Sequence, residues 1–179
     1  MKSLATSFKN HNLVSVHRQG IDDRGIQGFV VGVSGDLLAL EYVYDFQIDG
    51  LLVLRLSEIT DIKRTATDEF QEELLKQEQI RPGSQRPVPL DLSAWPGLIK
   101  QLAEHYPIMI LERELGPSPE FVIGKPTKFS QAQVEFLTFS GTGKWSDTPR
   151  RLRYSKITSL QVNNRYSNFY QKYFSRGAA

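Results

Sequence analysis

The residues best suited to chemistry in this sequence are a group of cations and one tryptophan in its second half. Lysine and arginine bind the phosphates of a nucleic acid strand, and an indole ring stacks on its bases, so this combination is typical of a surface for single-stranded RNA. Strand alternation would place Arg151 and Arg153 on one face and Arg150 on the other. The candidate nucleic-acid-binding residues are Lys125, Lys128, Lys144, Trp145, Arg150, Arg151 and Arg153.

The charge of the chain is unevenly distributed. The formal net charge is only +2, but residues 121–179 hold ten lysines and arginines against two acidic residues, a net charge of +8. A basic region of this kind favours an anionic partner. Two other interpretations stay open, since the cations could attract the more acidic first half of the chain or simply be solvated.

No set of side chains has the spacing of a catalytic or metal centre. The histidines His11, His17 and His105 lie in different elements with no carboxylate or serine at motif spacing, and the chain has no cysteine. The segment 140–145 has a glycine-rich sequence ending in Lys144 and Trp145, but it lacks the full spacing of a phosphate-binding loop and predicts a hairpin. We therefore predict no catalytic residue, no metal and no cofactor, and a protein that is not an enzyme.

Two nine-residue segments, 54–62 and 152–160, share five identical residues at an offset of 98 residues. Short apolar strands precede both segments in a similar order, which predicts the duplication of one small β unit. Leu54, Ile59 and Ile62 are then expected to be buried at the same places as Leu152, Ile157 and Leu160. Because Arg153 has an equivalent in Arg55, a structural role such as bracing a turn is expected for this pair.

The elements around these segments are short strands with turn residues between them. Strands are predicted at 13–16, 26–33, 37–44, 51–56 and 59–64, and again at 108–111, 121–123 and 134–138. Helices are predicted from Thr65 with Phe70, Leu74 and Leu75 on one face, after Ser93 as a possible cap, and after Asn164. The last helix repeats Tyr166, Phe169, Tyr170 and Tyr173 at spacings that favour core packing over a base-stacking platform.

These elements predict a mainly β protein of two small SH3/Sm-like antiparallel barrels from internal duplication, with short helices between and after them. The predicted division is a first barrel plus helix at residues 1–80, a proline-rich linker with a short helix at 81–106, and a second barrel plus C-terminal helix at 107–179.

The segment 28–40, with its glycines, hairpin and Asp36, resembles the core of Sm-like proteins, and 59–62 resembles their final strand. The resemblance covers residues 12–64 and is weaker at 107–162; the whole chain resembles uncharacterised bacterial proteins with a duplicated barrel. In Sm-like RNA binders the corresponding hairpins hold a uridine-like base. Here Asp36 and Arg55 stand at comparable places, but Leu40 and Leu56 replace the asparagine and glycine expected from the family.

The sequence has no apolar stretch of signal-peptide length near its start and no run of the roughly 20 apolar residues that a membrane helix needs. We therefore expect a cytoplasmic protein that does not enter a membrane. The preferred function is a non-enzymatic binding or scaffold module whose partner is another protein. The alternative is an RNA-binding Sm-like protein that uses single-stranded RNA contacts in its basic second repeat.

Overall fold

The computed structural model describes residues 12–83 and 89–177, so His11, the N-terminal segment and the middle of the predicted linker lie outside the described residues. Within them, ten strands and three α-helices confirm the mainly β class. The strands are β1 (Leu13–His17), β2 (Ile26–Ser34), β3 (Leu37–Tyr44), β4 (Gln47–Arg55), β5 (Asp61–Lys63), β6 (Met109–Arg113), β7 (Glu120–Phe129), β8 (Gln133–Thr138), β9 (Arg150–Arg153) and β10 (Ser159–Val162). The helices are α1 (Ala66–Gln77), α2 (Trp95–Ala103) and α3 (Arg165–Arg176).

All ten strands belong to one antiparallel sheet in the order β5-β1-β2-β3-β4-β10-β6-β7-β8-β9. The two halves of the chain join where β10 pairs with β4, with Ser159 opposite Leu54 and Val162 opposite Leu51. The described strands therefore form one continuous, open sheet, whereas the sequence predicts two separate barrels. The difference arises because β10 pairs with β6 on one side and with β4 on the other.

The two halves place their strands in the same relative order, with the fifth strand first and the fourth strand last. Single turns of 3₁₀-helix at Leu56–Glu58 and Tyr154–Lys156 follow the fourth strand in each half. The register of β2 with β3 shifts between Val30 and Gly32, and that of β7 with β8 shifts between Pro126 and Lys128. Each of these irregularities thus has a counterpart in the other half.

The two nine-residue segments are not buried to the same extent, although equal burial is expected from the sequence. Leu54, Leu152, Ile157 and Leu160 are buried, but Ile59 and Ile62 are only partly buried. The physical reason is position in the sheet: Ile62 lies in β5, which pairs only with β1, whereas the strand β10 of Leu160 has neighbours on both sides.

The largest hydrophobic cluster spans the junction of the halves and is covered by α2. Leu98, Ile99 and Leu102 of this helix are fully buried in it, together with Val53 of β4 and Leu160 of β10. Pro96 lies in the first turn of α2, as predicted, because the missing proline N–H is not needed there. Ser93 is not the cap. Ala94 precedes the helix, and the Ser93 hydroxyl bonds to Asp91 instead.

Helix α1 begins with the predicted capping box, in which Thr65 and Asp68 exchange hydrogen bonds between side chain and backbone. The predicted apolar face is confirmed only in part, since Leu75 is buried and Leu74 is half-buried, but Phe70 is 64% exposed. Instead, Asp68 accepts a hydrogen bond from the Ser15 hydroxyl at 2.8 Å, and Glu72 accepts one from the Leu13 amide at 3.0 Å. These carboxylates turn the polar face of α1 toward β1.

Candidate functional site

Strand β9 forms one edge of the sheet and carries three of the predicted site residues. It pairs with β8 on one side, where Arg153 lies opposite Gln133, Arg151 opposite Glu135 and Arg150 opposite Phe136. No described strand pairs with its other side. An unpaired edge presents backbone N–H and C=O groups to solvent, so a further strand can add to it.

The predicted cations divide between two faces of the sheet. The register through Glu135 places Arg151 and Lys128 on the same face, and Arg153 lies on that face two residues beyond Arg151. Lys125 joins them because it lies opposite Leu137, two residues beyond Glu135. Arg150 lies opposite the buried Phe136 and approaches Glu120 at 3.9 Å on the other face. The structure thus places four of the six predicted cations on one face of the sheet, all exposed, while Lys144 lies in the loop before β9.

Trp145 does not lie on this basic face as a free ring. It is partly buried and packs against Phe139, with ring centroids 5.1 Å apart, and against Phe174 of α3 at 4.7 Å. The Nζ atom of Lys125 lies 5.0 Å from the centre of its ring. These three neighbours leave little of the indole available to a base, so its contacts stabilise the docking of α3.

The glycine-rich segment before Trp145 is a hydrogen-bonded turn, in agreement with the predicted hairpin. Phe139 and Trp145 form an antiparallel bridge, and the Gly143 amide donates to the carbonyl oxygen of Ser140 at 2.8 Å. The Ser140 amide donates to the carbonyl oxygen of Lys144 at 2.9 Å. Two of its backbone N–H groups are thus used within the turn.

A cavity of about 190 Å³ lies beside β9. Its apolar wall consists of Leu111, Val122, Leu152 and Ile157, all buried. Its polar lining consists of Glu112, Arg113, Arg151, Arg153 and Lys156. The site at β9 therefore combines an apolar recess with a basic rim. Arg113 and Lys156 were not predicted, although the repeat alignment carries a signal because it places Lys156 where the first half has Glu58.

The corresponding edge of the first half is covered by the second half. There Arg55 donates to the carbonyl oxygens of Tyr154 and Ile157, both at 2.8 Å, and so braces the second 3₁₀ turn as the sequence predicts. The same expectation is wrong for its equivalent Arg153, whose exposed side chain has no hydrogen bond or ion pair with any residue that the structure describes. Because Arg55 is used in this way and Leu40 is fully buried, neither is directed at a base.

Charged side chains are buried where the halves meet. Arg18 is only 3% exposed and donates to both carboxylate oxygens of Asp22 and of Glu114, at 2.7 to 2.9 Å. Glu58 lies 3.4 Å from Arg55 and 3.9 Å from Arg18. Burial raises the pKa of Glu58 to about 7, because the loss of hydration outweighs the attraction of the two arginines.

This carboxyl predicts a pH dependence of stability. Its folded pKa of about 7 lies above the unfolded value of about 4.3, so the folded state binds more protons between these values. The stabilisation that results is complete below the unfolded pKa and is lost as the pH rises through 7. The free energy of unfolding of Glu58→Gln minus that of wild type is therefore expected to be larger at about pH 8 than at about pH 5. The expected increase is about 1–2 kcal/mol after allowing for partial solvent access.

Urea unfolding of both proteins at the two pH values measures this difference. Arg18, Asp22, Arg55 and Glu114 also face Glu58, and they are present in both proteins, so the comparison isolates the contribution of the Glu58 carboxyl. A stability difference that is the same at both pH values would contradict the assigned pKa.

A larger cavity lies elsewhere, beside α3. It has a volume of about 570 Å³ and is lined by both carboxylates and cations, among them Asp45, Asp49, Arg165 and Lys172. Asp49 already accepts a hydrogen bond from the Arg165 amide at 2.6 Å. The core face favoured by the spacing of α3 is confirmed only for Tyr170, which packs against Phe139 with ring centroids 4.6 Å apart, whereas Tyr166, Phe169 and Tyr173 are about half exposed or more.

Across residues 12–83 and 89–177, no three His, Asp or Glu side chains form a group that could hold a metal ion. His17 is partly buried and His105 is exposed. None of the helices in the described part of the chain is long and apolar enough to cross a bilayer.

Comparison of this chain with family models, with curated proteins and with solved structures found no match.

Proposed function

We propose that this chain is a non-enzymatic scaffold module that binds a protein partner along β9. The observation that carries the proposal is the difference between two equivalent edges. The outer side of β4 is covered by β10, whereas no described strand pairs with the outer side of β9, which borders an apolar cavity. Addition of a strand to a free edge is a common mode of peptide recognition, since the backbone supplies affinity and neighbouring pockets supply specificity.

The proposal includes the origin of the fold. We interpret the two halves as SH3/Sm-like units that arose by internal duplication. The shared strand order, the 3₁₀ turns at Leu56–Glu58 and Tyr154–Lys156 and the matching register shifts support this interpretation. In this view the contact between β4 and β10 is a contact between units, and β9 is the place where a third segment can add.

Capture of partners on the immobilised protein tests the function. Extracts of the cells that encode the chain are treated with nuclease and washed with salt before bound proteins are identified. A specific partner should be retained by wild type and by the control Arg24→Glu with Lys100→Glu, which reverses two exposed charges away from β9. It should be lost from Arg151→Glu with Arg153→Glu. Equal retention by both variants would contradict binding at this edge.

RNA binding is the second candidate function, favoured by the four exposed cations Lys125, Lys128, Arg151 and Arg153 on one face. If they contact about four phosphates of a single strand, the logarithm of the affinity should fall with the logarithm of the salt concentration at a slope of roughly −3. Fluorescence anisotropy with a random-sequence RNA at two salt concentrations measures the slope. No binding at low salt would exclude this candidate.

A further inference from the structure

The contact between the two halves is a template for what β9 can bind. In the first half, the edge strand β4 receives β10, and the same half that supplies β10 also supplies Glu114. Glu114 accepts two hydrogen bonds from the buried guanidinium of Arg18, at 2.7 and 2.9 Å. Covering the first edge therefore combines a backbone ladder with a carboxylate that neutralises a cation beside it.

The strand registers identify the equivalent positions in the second half. His17 lies opposite Asp61 and Glu112 lies opposite Ser159, so the next residues, Arg18 and Arg113, are equivalent. The 3₁₀ turns make Glu58 and Lys156 equivalent. Arg55 lies opposite the first residue of β3, and Arg153 lies opposite the first residue of β8. Arg55 and Arg153 are therefore equivalent.

The second half thus has three cations at the positions where the first half has two cations and a carboxylate. Arg113 approaches Glu120 at 3.1 Å, and Arg151 approaches Glu135 at 3.6 Å. Arg153 and Lys156 are exposed, and neither has an ion pair among the residues that the structure describes. Glu112 also lines the cavity and accepts a hydrogen bond from the Ser159 hydroxyl at 2.6 Å. The edge is still positively charged, because the five cations Arg113, Arg150, Arg151, Arg153 and Lys156 outnumber the three glutamates Glu112, Glu120 and Glu135.

We propose that β9 binds an extended acidic segment of another protein, which adds as an antiparallel strand. An apolar side chain of the segment enters the 190 Å³ cavity against Leu152 and Ile157. Its carboxylates meet Arg113, Arg153 and Lys156, and Arg153 donates to its carbonyl oxygens as Arg55 does within the chain. This inference rests on the proposed function and specifies the chemistry of the partner.

A second copy of this chain fits the edge less well. In such a dimer the edge strand β5 of the second copy would take the place that β10 has beside β4. Within the chain, Gln161 of β10 lies opposite Leu52 of β4. The equivalent pair in the dimer is Lys63 opposite Arg150. Like charges directly opposite each other destabilise a strand pair. Gln19 would also stand in the place of Glu114 and supply no carboxylate. Charge complementarity therefore favours an acidic segment over self-association.

Fluorescence anisotropy with a labelled peptide that alternates glutamate with leucine tests the inference. We expect binding to wild type and to the control Arg24→Glu with Lys100→Glu. Arg153→Glu with Lys156→Glu should weaken binding by about tenfold or more, since each lost charge-assisted hydrogen bond is worth about that factor. Both residues are exposed, so the variant is expected to fold, which circular dichroism checks.

Two altered peptides complete the test on the wild-type protein. Replacing glutamate by lysine should abolish binding, and a central proline should weaken it because proline cannot donate to the ladder. The inference would be overturned if a central proline left binding of the glutamate peptide unchanged. It would also be overturned if the edge variant, Arg153→Glu with Lys156→Glu, bound that peptide as tightly as the control variant does.

The remaining outcomes separate this inference from the function on which it rests. A captured protein that requires Arg151 and Arg153, but is not displaced by the glutamate peptide, overturns the acidic segment and leaves the scaffold function standing. If capture also fails, both are overturned. Random-sequence RNA that binds wild type but not the edge variant, with no peptide binding, assigns the edge to nucleic acid. Concentration-dependent dimerisation that only the edge variant abolishes assigns it to a second copy.

Discussion

Replacing Gly50 by alanine is expected to lower the free energy of unfolding by about 3 kcal/mol or more. Gly50 has φ of +80°, a conformation that costs an L residue about 1–2 kcal/mol. A Cβ atom there would also overlap the Val162 carbonyl oxygen and lie 2.6 Å from the Asn163 carbonyl carbon. Because the clash is with backbone beside the β4–β10 contact, relief requires separation of the two halves, which adds about 1–3 kcal/mol.

Gly20 supplies the matched control. Its φ of +78° is nearly the same, but a Cβ atom at this position would meet nothing within 4 Å. Gly20→Ala should therefore cost only the conformational strain of about 1–2 kcal/mol. Urea unfolding of the two variants measures the difference directly. Equal losses of stability would mean that the close contact between the halves at Gly50 is not as described.

Removal of the Glu114 side chain should destabilise the fold by about 3 kcal/mol. Glu114→Ala would leave the buried guanidinium of Arg18 with Asp22 as its only side-chain hydrogen-bond partner among the described residues, with Glu58 farther away at 3.9 Å. Breaking a buried ion pair from one side costs about 3–5 kcal/mol. We use the lower value because Asp22 still neutralises part of the charge. The measurement is again the free energy of unfolding in urea.

Glu120→Ala is the control for this variant. Glu120 also forms an ion pair with an arginine, Arg113, at 3.1 Å, but both side chains are partly exposed. Its removal should cost less than about 1 kcal/mol, as is usual for surface pairs. A loss at Glu114 as small as that at Glu120 would show that the charges between the halves are well solvated.

The strands and the capping box of α1 could be predicted because they depend on local patterns. Alternating apolar residues, turn glycines and the pair Thr65 and Asp68 act over a few residues, and the structure contains the predicted elements, although β7 extends to Phe129 and not only to residue 123. The pairing of β10 with β4 could not be predicted in this way. It depends on which of several free edges meet, and residues about 100 positions apart decide it.

Individual faces of helices were also difficult to predict. Phe70 suggests an apolar face for α1, but Asp68 and Glu72 are the residues that bond to β1. Their carboxylates satisfy the hydroxyl of Ser15 and the amide of Leu13, which a hydrophobic pattern cannot reveal. The apolar pattern therefore locates Leu75 correctly in the core but not the polar contacts beside it.

For the candidate site, sequence reasoning identified the arginines of β9 but not their surroundings. Alternation of strand residues correctly separated Arg150 from Arg151 and Arg153. Trp145 was expected to face a ligand, but Phe139 and Phe174 pack against it, because α3 returns to the sheet at this point. Lys156 becomes part of the site only when the fold places its turn beside the edge strand.

Amide hydrogen exchange of β9 is the most direct test of the central claim that this edge receives a strand. On addition of the glutamate–leucine peptide, amides within Arg150–Arg153 are predicted to exchange more slowly, because a new ladder would protect those that now face solvent. Amides of β5 at the opposite edge should not change. Unchanged exchange in β9, with protection confined to α3 or to β5, would contradict the account.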